Sequence, residues 1–201
     1  MTAITTFVTL GDSITFGTGA TADYGWNQLA RDALVAGSSP DCVLYNYGTG
    51  SELASGGETH LATLQANFPS IDLFTVAYGM NDMPPDPQVT PEEFSASLTN
   101  IVATMKPRCT RVLMLNITPN TISVPDTATY NAVIAAVATA QAVTLVNVNR
   151  LAIQTVDGIH PNDAGHALMA ALVVSTLGTA SHTAATGRTA ATGRTAATGR
   201  A

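Results

Sequence analysis

The sequence is poor in charge. Asp, Glu, Lys and Arg make up 11% of its 201 residues, with only eight Lys and Arg against fourteen Asp and Glu. Three of the eight, Arg188, Arg194 and Arg200, stand in the last stretch of chain, which leaves the body five basic residues against fourteen acidic ones. Such a surface repels phosphate backbones, so nucleic acid is not an expected partner. Cysteine is scarce. Cys42 and Cys109 lack metal-ligand spacing and read as plain core residues rather than as a disulfide framework. No apolar run reaches the roughly 18 residues of a membrane span. Residues 1–10 have no basic residue ahead of their apolar stretch and no small-residue cleavage site, so no secretory signal is read and the default expectation is cytoplasmic. Nothing in the sequence fixes an oligomeric state.

What is present is apolar: 46% of the residues are hydrophobic, enough for one packed domain at this length. The C-terminal stretch departs from this. The hexapeptide TAATGR begins at Thr183, Thr189 and Thr195 and carries no large apolar side chain. Such a repeat cannot bury a face, so the expected division is a domain over 1–180 and a disordered tail over 181–201, with the last buried helix ending near Leu177.

Within the body, strand-like runs at 4–10, 43–46, 73–78, 111–116 and 143–148 alternate with helical patterns at 25–36, 58–66, from Thr90 onward, 126–141 and 163–177. The clearest start signal is Thr90-Pro91-Glu92-Glu93, a capping box with proline at the first helical position. The alternation predicts a three-layer α/β/α sandwich around a five-stranded parallel sheet.

Ligands of such sheets bind beyond the C-terminal ends of the strands, and the unusual residues fall there. Gly11-Asp12-Ser13 follows the first strand, Asn46 to Ser51 the second, Gly79-Met80-Asn81-Asp82 the third, and Asp157-Gly158-Ile159-His160-Pro161 the fifth. Pro161 keeps His160 out of the helical region, on a loop where Asp157 can accept the Nδ1 proton and leave Nε2 free to take a proton from a hydroxyl. Ser13 supplies a hydroxyl at a strand-to-helix turn. This turn is not the Gly-x-Ser-x-Gly elbow, because Thr15 fills the second glycine position. Asn81 offers an amide for a tetrahedral oxyanion, and the backbone N–H groups of Ser13 and of the 48–51 loop can add to it.

Taken together, these motifs resemble the SGNH, or GDSL, hydrolase family over nearly the whole body, residues 5–177. The resemblance implies a flavodoxin-like sheet of order 2-1-3-4-5. It implies Ser13 as nucleophile, Asp157 and His160 as its triad partners, Asn81 as oxyanion donor, and no metal or cofactor. One position departs: the family's Asn-x-Gly-x-x-Gly block ends here in Ser51. Its N–H can still donate if the local φ is negative; if φ must be positive, Gly50 takes its place. Asp12, Tyr24, Gly48, Met80 and Met83 are expected to line the pocket, with Pro84 and Pro85 beside them. His166 is expected to be structural, and Trp26 a core anchor.

The expected activity is hydrolysis of a carboxylic ester with a short, acetyl-type acyl group, on a small-molecule, carbohydrate or lipid carrier, by way of an acyl-serine. Two alternatives stand beside this reading. A metal-dependent phosphoesterase would draw on Asp12, Asn81, Asp82, Asp157 and His160, but no Asp-x-His or second histidine cluster accompanies them. A non-catalytic carbohydrate-binding or structural module would need none of the chemistry.

Overall fold

The computed structural model describes residues 2–83, 89–122 and 126–186, with side chains as far as Gly178. Strands β1 (Thr6–Gly11), β2 (Val43–Gly48), β3 (Ile71–Ala77), β4 (Cys109–Leu115) and β5 (Thr144–Val146) form one sheet in the order β2-β1-β3-β4-β5. Every neighbouring pair is parallel. The expected fold and strand order are therefore found.

Each crossover between parallel strands needs a covering element, and the helices supply two layers. Helices α2 (Trp26–Ala36) and α7 (Asp163–Thr186) pack on each other. Helix α5 (Pro91–Met105) packs with α3 (Ala54–Gly57), α4 (Leu61–Asn67) and α6 (Asp126–Ala140). The central strand β3 is buried along most of its length, as its unbroken apolar run requires, and Trp26, Phe7, Phe74 and Phe94 are the largest side chains fully withdrawn from water.

The expected capping box forms: the Thr90 hydroxyl accepts from the Glu93 N–H, and the Glu93 carboxylate accepts from the Thr90 N–H. Three boundaries differ from the sequence reading. The helix expected over 58–66 begins earlier and is broken, as α3, a 3-10 turn over Glu58–His60 and then α4. The break follows Gly57, which lies so close under the Tyr78 ring that a Cβ there would sit 2.5 Å from the phenolic oxygen. Strand β5 keeps only three residues, because Ala142 enters it with φ 49° and the chain turns into a 3-10 helix at Val148–Arg150. Helix α7 runs past Leu177 to Thr186, so the first hexapeptide begins inside a helix, consistent with the high helix propensity of its alanines. The remainder of the expected tail lies outside the described residues.

The register sets up the site. Gly11 is level with Gly48 of β2 and with Ala77 of β3, and Val76 is level with Met114 of β4. The first three strands thus release their chains at one height, side by side.

Candidate active site

Ser13 opens the four-residue helix α1 (Ser13–Phe16) immediately after β1. Asp12 caps it, its Oδ1 accepting from the Ile14 N–H at 2.9 Å, and Gly17 ends it with φ 117°. The short helix turns the Ser13 hydroxyl across the sheet toward the far end of the chain. There, Ser13 Oγ lies 2.8 Å from His160 Nε2, a contact between residues 147 apart in sequence.

His160 Nδ1 lies 2.6 Å from Asp157 Oδ2. A carboxylate can only accept, so Nδ1 carries the proton and Nε2 is left to accept from the serine hydroxyl. Asp157 is fixed in turn: its Oδ1 accepts from the backbone N–H groups of Ile159 and His160, at 2.9 and 2.8 Å. Desolvation pulls the Asp157 pKa upward, but the hydrogen bonds from His160 and Ile159 outweigh it and hold the carboxyl at about 2. It is ionised throughout the neutral range and so able to stabilise a positive charge on the adjacent imidazole.

The loop bearing these two residues is held from both sides. Thr155 bridges to Pro161, and the Val156 N–H donates to the His160 carbonyl at 2.9 Å. On the other side, Gly19 sits with φ 96° against His160, where a Cβ would come within 2.4 Å of the Pro161 oxygen; only glycine fits that approach. His166 of α7 is fully buried, its Nδ1 accepting from the main-chain N–H of Trp26 and its Nε2 donating to the Thr18 carbonyl. Burial pushes its pKa down, consistent with a neutral ring held for structure. Trp26 is the fully buried anchor that was expected.

Asn81 stands beyond β3 and donates one amide N–H to the Glu52 carbonyl at 3.0 Å. The second N–H of the same nitrogen remains for another acceptor. Ser51, the position that departs from the family block, adopts φ 58°, whereas Gly50 does not enter the positive-φ region and a Cβ on it would meet open space. A positive φ here was expected to pass the role to Gly50; serine instead adopts the left-handed conformation itself, at a cost in strain, and Gly50 does not.

Residues 9–168 match the GDSL-like lipase/acylhydrolase family. The chain belongs to that family. It is accordingly a carboxylic ester hydrolase. Solved structures of like fold include a lipase/acylhydrolase from Enterococcus faecalis, with 19% identity, a TM-score of 0.75, and coverage of 86% of this chain and 94% of that one. LAE5, an α/β hydrolase from the metagenome of Lake Arreo, has 24% identity, a TM-score of 0.72, and coverage of 89% and 97%. An acetylxylan esterase from Geobacillus stearothermophilus has 19% identity, a TM-score of 0.71, and coverage of 88% and 95%. An aryl esterase of M. smegmatis has 17% identity, a TM-score of 0.74, and coverage of 86% and 98%. No curated protein matches the chain at a significant level.

In this acylhydrolase the other expected pocket residues have varied places. Gly48 lies beneath α1, where a Cβ would strike the backbone of Thr15 and Phe16, so it brings the two loops together. Met80 joins Asp12, Ile14, Ile117 and Thr118 around a small cavity, and Met83 is buried in the core. Tyr24 turns toward α2, its hydroxyl donating to Asp32 and accepting from Arg31. Pro84 and Pro85 lie outside the described residues. Among the described residues no three His, Cys, Asp or Glu side chains gather as an ion site.

Three residues linked to Asn81 were given no role from sequence: Glu52, Tyr78 and His60. Tyr78 donates to Glu52 Oε2 at 2.7 Å, and His60 Nε2 lies 3.0 Å from Glu52 Oε1. The available signal was weak, a lone acidic residue directly after Ser51.

Two measurements follow from local geometry. A non-glycine residue in the left-handed region costs about 1–2 kcal/mol, while glycine loses about 0.5–1 kcal/mol more chain entropy on folding than other residues. The first effect is the larger at Ser51, so Ser51→Gly should stabilise the protein by about 0.5–1 kcal/mol and raise its Tm; a lower Tm would contradict the strain.

The second concerns Asp12, which is fully buried. Desolvation pushes its carboxyl pKa up to about 7, with Asp82 adding repulsion, and burial likewise raises Asp82 to about 6. A folded-state pKa above the unfolded value of about 4 means that the folded chain binds the proton more tightly. The carboxyl's contribution to stability is then whole below pH ~4 and lost as pH rises to ~7. Asp12→Asn keeps an acceptor for the Ile14 N–H and does not ionise. Relative to wild type it should gain about 1–3 kcal/mol between pH 5 and pH 8. Denaturant unfolding at the two values checks this, and a difference independent of pH would refute it.

Proposed function

We propose that this acylhydrolase cleaves esters of a short, acetyl-type acid through an acyl-Ser13 intermediate. The observation that carries the reading is the unbroken chain of hydrogen bonds from Ser13 Oγ through His160 to Asp157. His160 Nε2 takes the serine proton as Oγ attacks the ester carbonyl, and Asp157 stabilises the imidazolium formed. The tetrahedral oxyanion is met by the backbone N–H groups of Ser13 and Ser51 and by the free N–H of Asn81. His160 then returns the proton to the departing alkoxide, and deprotonates the water that releases the acid.

The short-acyl assignment is supported by the short connections that carry Ser13, Asn81 and His160 beyond the strand ends, α1 after β1 having only four residues. The acetylxylan and aryl esterases of similar fold carry different alcohols by name, so the reading leaves the carrier among small-molecule, carbohydrate and lipid esters.

The test is a series of activated esters from acetyl to decanoyl. Because a pocket discriminates a methylene by about 10-fold or more, kcat/KM should be highest at acetyl and fall steeply by butanoyl. An optimum at octanoyl or beyond would overturn the acetyl assignment.

A further inference from the structure

The segment after β2 is cross-linked to the segment after β3 at three successive points. Tyr78 Oη donates to Glu52 Oε2 at 2.7 Å, Asn81 Nδ2 donates to the Glu52 main-chain oxygen at 3.0 Å, and the Ala54 N–H donates to Asp82 Oδ1 at 3.1 Å. Two of the three links end on Glu52. Its second carboxylate oxygen is engaged by His60 Nε2, and Gly56 leaves so little room that a Cβ there would come 2.7 Å from Glu52 Cγ. The Tyr78 hydroxyl is almost wholly buried, and burial together with the adjacent Glu52 carboxylate drives its pKa far up, so it stays a neutral donor.

These links bear on the two oxyanion donors contributed from outside α1. Ser51 N–H belongs to the residue immediately before Glu52, in a left-handed conformation that serine does not adopt without support from its surroundings. Asn81 Nδ2 has one N–H spent on the Glu52 carbonyl, which fixes the direction of the other. From this geometry we infer that Glu52 is a positioning residue for hydrolysis: it holds the Ser51 and Asn81 donors in register with each other, anchored through Tyr78 and His60, without touching the substrate. The inference rests on the acyl-serine reading above.

Misplacing a donor by about 1 Å is enough to cost ~100-fold in rate. Glu52→Ala should therefore lower kcat on an acetyl ester by ~30–100-fold with KM changed by less than ~3-fold, because the donors act on the transition state more than on the bound ester. Glu52→Gln keeps an acceptor for the tyrosine hydroxyl and should restore kcat to within ~5-fold of wild type. Tyr78→Phe, which removes one oxygen, keeps the chain folded if Glu52→Ala does not, and should lower kcat by ~5–10-fold. A double-mutant cycle supplies a readout that a purely structural role would not move. Asn81→Ala already breaks the link by which Glu52 sets the two donors in register, so Glu52→Ala should cost less than ~5-fold when added to it.

Wild-type kcat in folded Glu52→Ala or Tyr78→Phe protein overturns the inference. So does a full multiplicative loss in the double mutant, or a loss in KM alone. Failure of the wild type to turn over the ester, or retention of activity in Ser13→Ala, instead brings down the reading on which it rests.

Discussion

Ser13→Ala is expected to lower kcat on an acetyl ester by ~10⁴–10⁶ without unfolding the protein, since removing the nucleophile of a triad leaves only the contribution of binding and the oxyanion hole. The fold should survive because Ser13 does not cap α1; that task belongs to Asp12. Alanine also fits where the serine Cβ already sits, and its helix propensity is higher. His160→Ala should fall in the same range, and the double substitution should be little worse than either alone, because in the proposed mechanism the hydroxyl and the imidazole work as one unit. The check is kcat measured beside a thermal melt. Retention of even a tenth of the wild-type rate by folded Ser13→Ala would remove this hydroxyl from the chemistry.

Asn81→Ala is the second large effect. Losing one preorganised oxyanion donor costs ~10²–10³ in kcat, and KM should change little. Asn81 also ties the second loop through the Glu52 carbonyl, so part of the loss is expected to come from a displaced Ser51 N–H. Asn81→Asp removes both N–H contacts at constant side-chain volume. It also adds a negative charge beside the oxyanion, so it should be at least as slow as the alanine variant. An unchanged kcat in Asn81→Ala would exclude the amide from the mechanism.

Much of the fold could be read because its signals are short in range. The Thr90 capping box is complete within four residues, and the apolar run of β3 announces a strand buried on both faces. The order of the sheet came from the family resemblance and is found unchanged. The misjudged boundaries are those where a tertiary contact overrides the local pattern: the helix breaks where Gly57 meets Tyr78, and β5 is cut short by the turn at Ala142.

The sequence by itself determined the chemical inventory: a hydroxyl after β1, an amide after β3, an Asp-x-x-His before the last helix, and a serine where the family block has glycine. Only the tertiary structure decided how these meet. The 2.8 Å approach of Ser13 to His160 depends on strand register and on the lacing of α7 to the segment after α1, and the grip of Glu52 on Asn81 joins two loops 29 residues apart. Periodicity and capping report interactions within a turn or two of chain. Contacts between loops are set instead by the heights at which parallel strands end, which no local pattern encodes.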